Sequence, residues 1–68
     1  MDFKLNTEYI QLDNLLKAAN LVESGGQAKE QILAGLAKVN GEVESRIRRK
    51  LRAGDKVEFG GQQINVIS

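Results

Sequence analysis

From Arg46 to Arg52 the chain reads Arg46-Ile47-Arg48-Arg49-Lys50-Leu51-Arg52, five cations in seven residues with no carboxylate among them. Side chains of this kind at this density are suited to holding oxyanions: arginine forks onto two phosphate oxygens at once, and lysine adds a mobile point charge. Those five are half of the 10 Lys and Arg. The other 5 face 9 Asp and Glu, so everything outside the run is net −4 while the whole chain is +1. Crowding like charges brings a folded domain no advantage unless a polyanion or an anionic surface neutralises them, which makes nucleic acid the first partner implied. A merely solvated basic face is the competing account.

A second constellation is Ser24-Gly25-Gly26-Gln27-Ala28-Lys29, two glycines at the opening of a helix. Free backbone amides and the positive end of the helix dipole can hold a phosphate there, with Lys29 adding charge from the first turn. The stretch lacks the spacing and the Lys-Ser/Thr ending of a nucleotide-binding loop, so nucleotide hydrolysis is not expected. The plainer account is that Ser24 caps the helix while the glycines allow close approach to another helix.

Other chemistries find little support. With no histidine and no cysteine, the chain lacks the commonest metal ligand, the commonest general base and any thiolate. Asp13, Glu23, Glu30, Glu42, Glu44, Asp55 and Glu58 are scattered, with no paired-carboxylate spacing, so neither an enzyme, a metal nor a cofactor is expected. Phe3, Tyr9 and Phe59 are too few for a base-stacking platform, which leaves charge and shape to supply affinity and predicts slight base specificity. Val43, Ile47 and Leu51 could face a lipid surface, but that face is short and has no tryptophan, so a membrane partner ranks below nucleic acid. No basic leader and no long apolar run is present, and the cytoplasm is the expected location.

The elements that must position these groups can be read from spacing. Phe3-Lys4-Leu5-Asn6 alternates like a strand ending near Thr7. Leu12, Leu15, Leu16 and Ala19 give an apolar stripe on a helix from about Gln11 to Asn20, and asparagine can end it in the left-handed conformation. Ser24 announces a second helix bearing Ala28, Ile32, Leu33 and Leu36, closed by Gly35. Asn40-Gly41 between Ala37-Lys38-Val39 and Glu42-Val43-Glu44 is a hairpin signal, because a type I′ turn needs positive φ twice. Ala53-Gly54-Asp55 reads as a turn, and Gly60-Gly61 joins Lys56–Phe59 to Gln63–Ile67 in a second hairpin. Between these lies the basic run, where Val43, Ile47 and Leu51 recur every four residues; pattern alone allows either an amphipathic helix or an extended arm. At 68 residues, one α+β domain spanning 1–68 is expected.

Four motifs in order resemble the small RNA-binding domain of the ribosomal protein S-four type, also called the αL-motif domain. They are Leu12-Asp13-Asn14-Leu15-Leu16-Lys17, Ser24-Gly25-Gly26-Gln27-Ala28-Lys29, Lys38-Val39-Asn40-Gly41-Glu42-Val43 and Lys50-Leu51-Arg52-Ala53-Gly54-Asp55-Lys56-Val57. The resemblance covers about residues 8–67 and is strongest to stand-alone bacterial members thought to be ribosome-associated. It implies two packed helices followed by a small, mostly antiparallel sheet of hairpins, and an extended basic arm. It further implies a monomer contacting structured RNA, ribosomal or transfer RNA, without DNA specificity. Carried over position by position, the RNA-facing residues are Lys17 on the first helix, Ser24, Gly26, Gln27 and Lys29 at the start of the second, Asn40 in the hairpin turn, and Arg46, Arg48, Arg49, Lys50 and Arg52 on the arm. Many relatives have arginine where this chain has Gln11 and Gly25, which shifts the burden onto Lys29 and the arm. A protein-interaction module that docks the same arm on an acidic partner is the alternative.

Overall fold

The computed structural model describes all 68 residues. Strand β1 (Asp2–Lys4) opens the chain; β2 (Ile10–Gln11) runs directly into helix α1 (Leu12–Ala18), and α2 (Gly25–Leu33) follows. Then come β3 (Ala37–Val39), β4 (Glu42–Val43), β5 (Lys50–Leu51), β6 (Lys56–Phe59) and β7 (Gln62–Ile67). Five strands form a mixed sheet in the order β1-β7-β6-β3-β4, and β2 pairs with β5 separately. The fold is α+β, as expected. Two features go beyond the expectation: β1 lies parallel to β7, Phe3 opposite Val66, and residues just before α1 form a strand at all.

Local chemistry sets the boundaries. Both helices end in a Schellman motif. After α1, the Leu21 amide donates to the Leu16 carbonyl and the Asn20 amide to Lys17; after α2, Leu36 donates to Gln31 and Gly35 to Ile32. The residues that must turn left-handed are Asn20 (φ 61°) and Gly35 (φ 80°). Each hairpin turn likewise has two positive φ values, Asn40-Gly41 at 53° and 87° and Gly60-Gly61 at 60° and 79°.

Leu12, Leu15 and Leu16 of α1 and Ala28 and Ile32 of α2 meet Ala37, Val39, Val57, Ile64 and Val66 from the inner face of the sheet, with Val22 and Leu51 completing the core. Two expected core positions are not buried: Leu33 and Leu36, which continue the α2 stripe in sequence, are 58% and 54% exposed. The chain leaves the helix at Ala34 and turns at Gly35, so the helical spacing ends before Leu36.

Candidate nucleic-acid interface

The basic run is not helical. Of the three residues whose spacing allowed a helix, Leu51 is fully buried, Ile47 is half-buried against the core and Val43 is exposed. The segment from Glu44 to Arg52 is an extended arm with one turn, closed by the Arg49 amide donating to the Arg46 carbonyl.

Three sets of bonds hold its backbone. Helix α1 has no side-chain cap at Gln11, and its first amides find partners on the arm instead: Leu12 donates to the Arg49 carbonyl at 2.9 Å and Asp13 to the Ile47 carbonyl at 3.1 Å. Helix N-terminal amides have no partner within their own helix, so the arm satisfies the helix while the helix fixes the arm. Next, β5 pairs with β2, Leu51 opposite Ile10 and Lys50 opposite Gln11. At the far end, Asp55 accepts from the Arg52 amide (2.8 Å) and from the Asn40 side chain (3.1 Å), while Asn40 accepts from the Lys56 amide (2.9 Å). Burial pushes the Asp55 carboxyl up, but these donors and the charges of Arg49 and Arg52 outweigh it and hold the group below its ordinary value.

Glu44 ties the arm to itself. It is the one buried charged residue, 7% exposed, and its amide donates to the Ala37 carbonyl. Its carboxylate accepts from the Arg46 backbone amide (3.0 Å), from Arg46 Nε (3.1 Å) and NH2 (2.8 Å), and from Arg49 NH1 (2.7 Å). Hydrogen bonding from Arg46 brings its pKa to about 2 against burial, with Arg49 and the Arg46 amide adding to the fall. In return Glu44 pushes the Arg46 guanidinium up. In the sequence Glu44 counted only as one of several scattered carboxylates; in the structure it organises the arm.

The expected site residues therefore divide. Arg46, Arg48, Arg49 and Lys50 line one shallow concavity, with Arg52 next along the strand. Arg46 and Arg49 are partly engaged by Glu44, whereas Arg48 makes no ion pair or hydrogen bond within the protein. Lys50 and Arg52 lie over the Tyr9 ring, 4.9 and 5.8 Å from its centre, a contact that sequence reasoning missed. The second group opens α2: the Ser24 hydroxyl accepts from the Gln27 amide (3.1 Å), and the Gln27 side-chain oxygen accepts from the Glu23 amide. Gln27 thus works as part of the cap, while Lys29 is exposed. The idea that the glycines admit the first helix does not hold. A methyl at Gly25 would meet nothing within 4 Å, and one at Gly26 only the Ser24 hydroxyl at 3.9 Å, so this backbone is open to solvent. No hydrogen bond, ion pair or shared concavity joins this group to the arm. Lys17 stands exposed on the last turn of α1, where its charge complements the carbonyl end of the helix. Asn40 is committed through its side chain to Asp55 and Lys56.

No helix is long and apolar enough to cross a membrane, and no cluster of side chains is arranged to hold a metal.

Comparison with known proteins agrees with this architecture. The chain is 43% identical over 60 residues to the "Putative RNA-binding protein YbcJ" of Escherichia coli (strain K12), covering 88% of this chain and 86% of that one. It is 42% identical over 57 residues to the "Probable ribosome maturation protein RlbA" of Bacillus subtilis (strain 168), covering 84% and 80%. The solution structure of E. coli YbcJ, described as revealing an ALFAL motif involved in RNA-binding, superposes with a TM-score of 0.75 at 41% identity over 98% of this chain and 86% of that one. The S4 domain matches residues 3–67, and the chain belongs to that family.

Proposed function

We propose that this protein is a non-enzymatic module that binds structured RNA, ribosomal or transfer RNA, through its phosphates, and that it works in association with the ribosome. The observation that carries the reading is the arm. Its backbone is held by α1, by β2 and by Asp55, while Arg48, Lys50 and Arg52 project without a carboxylate partner. A backbone held in one shape spaces its cations in advance, so less ordering entropy is lost when a phosphate backbone of matching shape arrives. The exposed amides at Gly25 and Gly26, with Lys29 beside them, supply a second anchoring point. The ribosomal assignment draws support from the name of the B. subtilis relative and the RNA assignment from the E. coli relative.

The test is binding to a structured ribosomal RNA fragment across a salt series. Arg49 also holds Glu44, so the informative pair is Arg48→Ala with Lys50→Ala. The double variant should keep its fold, weaken all RNA sequences alike, and lower the salt slope by roughly two units. Undiminished affinity would refute the role given to the arm. Disappearance of cellular association after RNase treatment is the matching expectation; survival would favour an acidic protein partner.

A further inference from the structure

Of the three aromatic residues, Phe3 and Phe59 pack against the core. Tyr9 does not follow them. It precedes β2, and the register that sets Ile10 opposite Leu51 and Gln11 opposite Lys50 carries it to the side of Arg52. Half-buried there, its ring lies under two cations, Lys50 Nζ at 4.9 Å and the Arg52 guanidinium at 5.8 Å from the centre. The approach to it is also fixed, because the Thr7 hydroxyl donates to the Tyr9 carbonyl at 2.7 Å. Beside the ring is a concave surface formed by Thr7, Glu8, Tyr9, Ile10, Gln11 and Asn14.

We propose that Tyr9, Lys50 and Arg52 form a seat for one unpaired nucleotide, in which the base takes the place of the two cations on the tyrosine ring and the cations turn to its phosphate. Phosphate neutralisation alone gives no reason to set an aromatic ring against two cations. An unstacked nucleotide has the complementary composition, a flat π-surface joined to an anion about one sugar away. A base inside a continuous duplex cannot offer its face, so the seat selects bulges, loops and junctions. The amides of Gln11 and Asn14 on the adjoining surface provide donors and acceptors for the base edge. This rests on the RNA-binding reading and deepens it, from recognition by charge and shape to recognition of an exposed base.

The chain contains one tyrosine and no tryptophan, so tyrosine emission reports on this ring alone. The experiment compares a hairpin RNA carrying a single 2-aminopurine bulge with the same duplex lacking the bulge. Each is titrated with the wild-type protein, Tyr9→Phe and Tyr9→Leu. Wild type should bind the bulged RNA more tightly, with quenching of both fluorophores, and Tyr9→Phe, which has no tyrosine emission, should match its affinity and its 2-aminopurine quenching. Tyr9→Leu should bind the bulged RNA roughly 10- to 100-fold more weakly, the range expected for loss of one base–aromatic stack. Its affinity for the continuous duplex should fall far less, and an unchanged circular dichroism spectrum is the control that the variant is folded. Equal weakening on both RNAs would overturn the seat and leave Tyr9 as a prop for the two cations. No effect on either would overturn it while leaving phosphate binding intact. Failure of the wild type to bind either RNA would overturn this proposal and the RNA-binding reading together.

Discussion

Replacing Glu44 with glutamine preserves length and volume and removes the charge around which the arm is folded. In the native protein the carboxylate is covered and accepts four hydrogen bonds from Arg46 and Arg49. Its pKa falls from 4.5 to about 2, with the Arg46 side-chain bond the leading cause. A carboxyl whose folded-state value lies below its unfolded one stabilises the fold at pH above about 4.5, and that contribution is lost as pH falls through about 2. Each pH unit of the fall corresponds to about 1.4 kcal/mol, which sets a ceiling of about 3.4 kcal/mol. The ceiling is not reached. The Arg46 side chain is 71% exposed, and a domain of this size keeps solvent close to every charge, so screening reduces the contribution to about 1–2 kcal/mol. At pH 7, Glu44→Gln should therefore lower the melting temperature by roughly 5–15 °C. Urea unfolding followed by circular dichroism at pH 7, 4 and 2 measures it directly. Wild type should exceed the variant at pH 7, and the gap should close as pH approaches 2, where the native carboxyl is itself becoming protonated. A gap of the same size at pH 2, or none at pH 7, would refute the assignment of Glu44 as the charged centre of the arm.

Gly26→Ala should stabilise the protein by about 0.5–1 kcal/mol, because the helix gains propensity and the added methyl meets only the Ser24 hydroxyl at 3.9 Å. The same variant should bind RNA less tightly if a phosphate approaches that backbone, so thermal melting and an RNA titration together separate a structural glycine from a binding one. Asn40→Ala removes the Asp55 and Lys56 bonds and strains a turn at φ 53°; it should lose about 2 kcal/mol in urea unfolding, against little change for Lys38→Ala on the exposed sheet face.

The parts of this fold legible in the sequence are those decided by neighbours in the chain. Asn20, Gly35, Asn40-Gly41 and Gly60-Gly61 mark their turns because each must adopt positive φ. Ser24 marks its helix because its hydroxyl reaches an amide three residues on. The arm was legible from its pattern as a charge cluster but not as a conformation; its extended form was implied only by the family resemblance. Val43, Ile47 and Leu51 suit a helix equally well, and the choice is made by the Leu12 and Asp13 amides, more than thirty residues earlier in the chain. For the same reason Tyr9 looked like an isolated aromatic, since only the β2–β5 pairing carries it to Lys50 and Arg52. Spacing alone also hid what Glu44 and Asn40 do in the fold: Glu44, one of several scattered carboxylates in the sequence, is the internal support of the arm, and Asn40 spends its side-chain amide on the turn that ends it.

That two polar side chains serve the frame of the arm bears on how the site discriminates. Five cations on a loose segment would bind any polyanion, with the ordering entropy paid at each encounter and no preference for shape. Here one of the negative charges of the protein is placed inside the cluster, where it neutralises part of the very field the arm presents. That arrangement reduces generic attraction. What it provides in exchange is a single geometry, since Glu44 fixes Arg46 relative to Arg49, α1 fixes the carbonyls between them, and Asp55 fixes the exit of the strand. The cations left without a carboxylate partner then point from a rigid frame, and an RNA whose phosphates do not match that frame can satisfy only some of them. On the proposed reading, selectivity for a folded RNA over an arbitrary one would come from the acidic residues of the arm and its borders as much as from the basic ones.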